Sequence, residues 1–208
     1  LLTLLTVAAA ACGGKAAEPA PAPARASLPP REPVKPLVTL PFAGQRIAVI
    51  PITLLVPVDT LARVSPLSDR ALALAWADSI VEGGLSSRRP EVTWVFPAEL
   101  RKIARRSPTV SPDPDRMGQS LLRDKSFETV PDPLRQHMRS LMAVASGRYA
   151  LVPAAVTLLP DAGLVRAEVT MVLTDTRLGK VIWRTVTWGL GATPAQAFTA
   201  AMDAVLPL

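Results

Sequence analysis

The sequence predicts one α/β (α+β) domain over residues 45–208, a two-layer sandwich with helices packed on a mixed sheet that ends in an antiparallel meander. Three observations lead there. A short Ile/Val-rich run, "QRIAVIPI" at 45–52, reads as a buried strand. Helical stretches follow it. Two long strand-like runs then close the chain, separated by the turn signal "PDAG".

The elements follow in order. After a loop holding Pro57 and Pro66, Ser68 is placed to cap a helix, with Asp69 in its first turn and Gly83-Gly84 as its stop. Leu72, Ala75, Trp76, Ser79 and Ile80 would form its apolar face. "EVTWVF" (91–96) is the next strand, and "PAELRKIARRS" a short basic helix with Pro97 in its first turn. Residues 107–133, with five prolines, read as an irregular excursion around a small helix at 115–125. Asp132-Pro133 opens a helix with Leu134, Met138, Leu141, Met142 and Ala145 on one face, ended by Gly147. Runs 148–159, 164–176 and 181–189 form the meander. In the second, Val165, Ala167, Val169, Met171 and Leu173 alternate with Arg166, Glu168 and Thr170, which implies one wet face. Thr193-Pro194 starts a last helix running to about Val205. The order is β-α-β-α-α-β-β-β-α, with the helices to one side.

Before this domain the composition changes. Residues 1–11 are Leu, Thr, Val and Ala only, too short for a bilayer-spanning helix but the length of a secretory leader's apolar region. The missing basic start and initiator Met suggest a truncated beginning. Small residues crowd around Cys12, the single cysteine, which resembles a bacterial lipoprotein signal: Cys12 would be lipidated and become the new N-terminus. The plainer alternative is an ordinary leader cleaved near Ala11. No disulfide within the chain is open to a lone cysteine. Residues 12–44 then read as the lipidated cysteine and a Pro/Ala-rich flexible tether, with eight prolines between Pro19 and Pro41. Extended at about 3.1 Å per residue, thirty such residues reach on the order of 90 Å.

The net charge of +6 is concentrated. Residues 88–106 carry six basic and two acidic side chains, the basic ones being Arg88, Arg89, Arg101, Lys102, Arg105 and Arg106. This segment reads either as a solvated helix face or as a contact with an anionic surface or partner. Export argues against nucleic acid. Trp183 and Trp188, five apart on one strand, should face opposite ways, and Trp188 is a candidate partner contact.

Several short motifs, "RIAVIPI", "GRYALVPAAV" and "MVLTDTRLGKVIW", resemble exported domains related to the N-terminal domain of TolB. That group includes the curli secretion lipoprotein CsgG and the lipoprotein activators of penicillin-binding proteins. The late hairpin pattern is carried by Asp175, Arg177, Gly179, Val181 and Trp183, with Leu178 where the group usually has Thr. The resemblance implies a TolB-N/CsgG-like fold and a lipid-anchored protein of the bacterial cell envelope; Gly13, after the cysteine, resembles the default signal for the outer membrane, periplasmic side. The resemblance also implies a non-enzymatic adaptor or activator binding an envelope protein. An oligomeric curli-type secretion or envelope-assembly component is the alternative, although the Pro-rich 107–133 segment does not suit membrane-crossing strands.

No cofactor, metal site or small-molecule substrate is evident. His137 is the single histidine, "VEGGLSS" lacks the lysine of a phosphate loop, and Asp113 and Asp115 lack the further ligands of a calcium loop. Asp175 reads as turn chemistry, with Gly179 supplying a positive φ. No catalytic residue is assigned, and an enzyme is the third and weakest reading.

Overall fold

The structure is a computed structural model, and it describes residues 32–207. Cys12, the leader and the first part of the tether lie outside the described residues.

The order of elements is β1 (Arg46–Val49), β2 (Leu55–Pro57), α1 (Arg70–Arg88), β3 (Thr93–Val95), α2 (Pro97–Arg106), α3 (Leu134–Ala145), β4 (Tyr149–Asp161), β5 (Leu164–Asp175), β6 (Lys180–Gly191) and α4 (Pro194–Val205). The strands form one mixed sheet in the order β3-β1-β4-β5-β6, and β2 joins the edge of β4 beyond β1. β1 is parallel to β3 and β4, whereas β4, β5 and β6 are antiparallel. The α+β class, the mixed sheet and the late meander are therefore as the sequence predicts.

The helices are not on one side. Alternation along β1 sends Ile47 and Val49 to a first face and Ala48 to a second. The first face packs against α1 and α4 around Phe198, Val81 and Leu85. The second packs against α2, α3 and the short 3-10 helix Gln119–Arg123, around Leu100, Leu122, Leu134 and Leu141. The expected wet face of β5 is accordingly half covered: Val172 and Thr174 are fully buried on it. Arg166, nearer the β4–β5 turn, is also buried and sits 3.2 Å from both Asp161 and Glu168.

One residue in β4 adjusts the phase of the sheet. Pro153 pairs with Met171 and Ala155 with Thr170, which leaves Ala154 as a bulge. Before it, Ala150 and Val152 belong to the second face; after it, Val156 and Leu158 belong to the first. Without that extra residue the strand would carry its apolar set to the wrong side at one end.

Helix α1 differs from its expected form. Its cap is Asp69, which accepts a hydrogen bond from the Leu72 amide at 2.9 Å, and it runs through Gly83-Gly84 to Arg88. Gly84 lies against Met202 and Leu206, where a methyl group would be in ordinary contact, so packing on α4 outweighs glycine's helix penalty of about 1 kcal/mol. The buried stripe is Ala73, Ala77, Asp78, Val81 and Leu85, and Leu72 is exposed. A helix with apolar residues all round gives little periodicity to read, and small residues won the close contact.

Residues 32–44 also depart from expectation. They are not tether but a strap across the first face. The Lys35 amide donates to Thr185 Oγ1 on β6 at 2.9 Å, and the Leu37 amide to the Val205 carbonyl at the end of α4, also at 2.9 Å. Thr39 Oγ1 donates to Glu91 beside β3, and Phe42 meets the Tyr149 ring edge-on. Val34, Leu37 and Phe42, scattered among the prolines, supply the apolar contacts that the proline count concealed. The folded part thus starts near residue 32 rather than 45.

Candidate functional site

The basic segment 88–106 divides on folding. Arg88, at the end of α1, pairs with Asp203 on α4 at 2.7 Å, and Arg89 donates to the Pro207 carbonyl at 2.6 Å. Both belong to the seam between α1 and α4. Arg101, on α2, reaches Asp78 of α1 at 2.9 Å and Asp115 at 2.7 Å. Asp78 also accepts from the Ile52 amide at 2.9 Å, so this trio ties α1, α2 and the 107–118 loop to the end of β1. Burial pushes the Asp78 carboxyl above its ordinary range, with the Ile52 amide and Arg101 pulling the other way. Asp115 beside it holds Arg101 firmly protonated. Those three arginines have structural roles.

Lys102, Arg105 and Arg106 remain on the outer face of α2, exposed and without an ion pair among the described residues. They join a larger pattern. Helices α2 and α3 together hold six basic residues (Arg101, Lys102, Arg105, Arg106, Arg135, Arg139) against one acidic, Glu99. Helices α1 and α4 hold two (Arg70, Arg88) against three (Asp78, Glu82, Asp203). The two helix pairs cover opposite faces of the sheet, so charge is segregated across it.

A second cluster, unread in the sequence, sits where α3 ends beside the β5–β6 turn. Arg139, Arg148 and Arg177 line one depression of about 350 Å³, floored by Met142 and Gly147. Asp175 organises it. Its Oδ2 accepts from Arg148 at 2.6 and 2.9 Å, and its Oδ1 accepts from the Arg177 and Leu178 amides at 3.0 and 3.1 Å. Burial alone would raise the Asp175 carboxyl, but Arg148 and the Leu178 amide outweigh it and hold it below the ordinary range. Gly179 closes the turn at φ +70°, and a side chain there would collide with the Arg135 guanidinium. The Asp175 turn chemistry is as predicted. Its pairing with Arg148, and the approach of Arg139 to the same depression, leave no local mark because the elements are far apart in sequence and the charges of 107–208 nearly cancel in total.

Trp183 packs at the edge of the first face. Trp188 faces the opposite way and is half-buried. Just after Trp188 the strand carries Gly189 under α4: a methyl there would lie 2.3 Å from the Ala201 nitrogen. Of the other sequence candidates, His137 is half-buried on α3. Asp113 accepts from the Asp115 amide at 3.0 Å in an Asx turn, while Asp115 faces Arg101. Among the described residues, no group of three or more His, Cys, Asp or Glu is placed to hold a metal ion. No described helix is long and apolar enough to cross a membrane.

No family model matches the sequence, and no curated protein matches it either. Solved structures do. The C-terminal domain of LpoB from Salmonella enterica is 13% identical, with 73% of this chain and 84% of that chain covered and a TM-score of 0.35. The PelC dodecamer from Paraburkholderia phytofirmans is 14% identical, covering 85% and 94%, with a TM-score of 0.37. LpoB from E. coli, determined by NMR, is 14% identical, covering 87% and 81%, with a TM-score of 0.40.

Proposed function

We propose that this chain is a lipid-anchored protein of the bacterial cell envelope whose folded domain is a non-enzymatic adaptor or activator, docking on an envelope protein. Lipid on Cys12 would hold it to the outer membrane on the periplasmic side, and residues 12–31 would serve as the spacer. The observation that carries the adaptor reading is the segregation of charge. On one pair of helices Lys102, Arg105, Arg106 and Arg139 stand exposed and without an ion pair among the described residues, while the opposite pair carries one net negative charge. Such a one-sided field orients an approaching partner and speeds productive encounter.

The test is in two parts on full-length protein extracted in mild detergent. Light scattering should give a monomer. A photo-cross-linker placed on the basic side at Ala143 of α3 should capture one envelope protein, and the same probe at Glu82 on α1 should not. A closed ring on the order of eight or more subunits would overturn the adaptor reading in favour of a secretion or assembly component.

A further inference from the structure

The β5–β6 turn is held from inside and displays its tip. Asp175 receives two backbone amides of the turn and the guanidinium of Arg148, and the Gly179 amide closes on the Asp175 carbonyl at 2.8 Å. Arg148 is further fixed over the Tyr149 ring, 5.1 Å from its centre. What this frame presents outward is Arg177 and Leu178, the latter 56% exposed. Across the depression stands Arg139 of α3, exposed and with no ion pair among the described residues.

We infer that the recess between the C-terminal end of α3 and the β5–β6 turn is the docking site for an acidic segment of a protein partner. Carboxylates of that segment would sit between Arg139, Arg177 and the fixed Arg148, with an apolar side chain against Leu178. This deepens the adaptor reading and rests on it. Two features favour a peptide over a flat anionic surface. Guanidinium forks match carboxylates two bonds at a time, and here they converge on a recess. The exposed basic row of α2 also borders a recess, but Asp113 and Asp115 line that one beside Arg105 and would repel carboxylates. A pre-held turn also loses little freedom on binding, which favours a defined contact over a diffuse one.

The experiment uses full-length protein and a fluorescein-labelled peptide of alternating glutamate and leucine, with anisotropy read at low and near-physiological salt. R139E/R177E should weaken binding about tenfold or more, and R105E/R106E, an equal change of charge, by less than about twofold. L178A, which alters no charge, should weaken it about threefold to tenfold. Equal losses for the two double variants would mean general electrostatic attraction and overturn the site. So would wild-type protein that ignores the peptide yet binds phosphatidylglycerol vesicles through Arg139 and Arg177. Cross-linking separates the two levels. If R139E/R177E still captures the same envelope protein, the assigned site is wrong and the adaptor reading stands. If wild-type protein captures none while the peptide still depends on Arg139 and Arg177, the adaptor reading falls and the site's chemistry is supported.

Discussion

The two faces of the sheet are built from the same alternating strands but finished differently. On the first, α4 lies so close to β6 that Gly189 and Gly191 have no room for a side chain, and Thr187 donates to the Ala201 carbonyl at 2.6 Å. Phe198, stacked edge-on to Trp76, fills the space between α1 and α4, and the strap of residues 32–44 crosses that side. On the second face the contact with the sheet is made by Leu, Met and Ala of α2 and α3, whose outer surfaces are strongly basic. Close packing is a device for holding a fold, and surplus charge is a device for meeting something else. In this chain they occupy opposite sides.

The comparison can be broken most forcefully at Phe198. F198A should cost about 3–5 kcal/mol, read from the urea midpoint, because a fully buried aromatic leaves a cavity between two helices. A loss under about 1 kcal/mol would mean that the first face is not where the fold is held. G189A comes next, at about 1–3 kcal/mol or more, since the new methyl meets helix backbone that cannot rotate away. R101M should cost about 1–2 kcal/mol by leaving the buried Asp78 without its cation, discounted because Arg101 is partly exposed. The smallest effect sharpens the contrast: R105E/R106E should leave the urea midpoint within about 0.5 kcal/mol of wild type.

The carboxylates give the comparison a pH signature. Asp175 is held below its unfolded value, so its contribution is present above the ordinary carboxylate pKa and is lost as pH falls through the depressed one. Asp78 is raised, so it acts in the opposite sense: stability declines as pH rises from the ordinary value through the raised one. Urea midpoints between about pH 2.5 and 6 should lose their steepest acid dependence in D175N but not in R101M. Burial raises both carboxyls, and the partners decide whether it is offset. Asp175 has two backbone amides and an arginine of its own, whereas Asp78 has one amide and shares Arg101 with Asp115.

Much of the fold was legible because its signals were local. The apolar face of α3, the meander and the Thr193 cap of α4 are all written within a few residues of where they act. The elements misread were those decided by distant neighbours. β2 hid behind Pro57, which an edge strand tolerates. α1 runs through two glycines because the buried stripe Ala73, Ala77, Val81 and Leu85 on either side of them packs into the first face. The strap was concealed by prolines that favour an extended chain without stating what it lies on. The candidate site followed the same rule. The basic residues of 88–106 stand close together in the sequence, yet three of the six are internal ties. Arg139, Arg148 and Arg177 come together through tertiary contact alone.

The strap has a mechanical consequence. Tension entering the domain at residue 32 reaches the Lys35–Thr185 and Leu37–Val205 bonds before any strand of the sheet. Bonds met one after another peel at lower force than strands sheared together. In a single-molecule pulling experiment, a short, reversible lengthening on the order of 40 Å should therefore precede the main rupture. The domain would then have a yielding element in series with its arm, one that gives length under tension while the sheet, and the basic face it carries, stays folded.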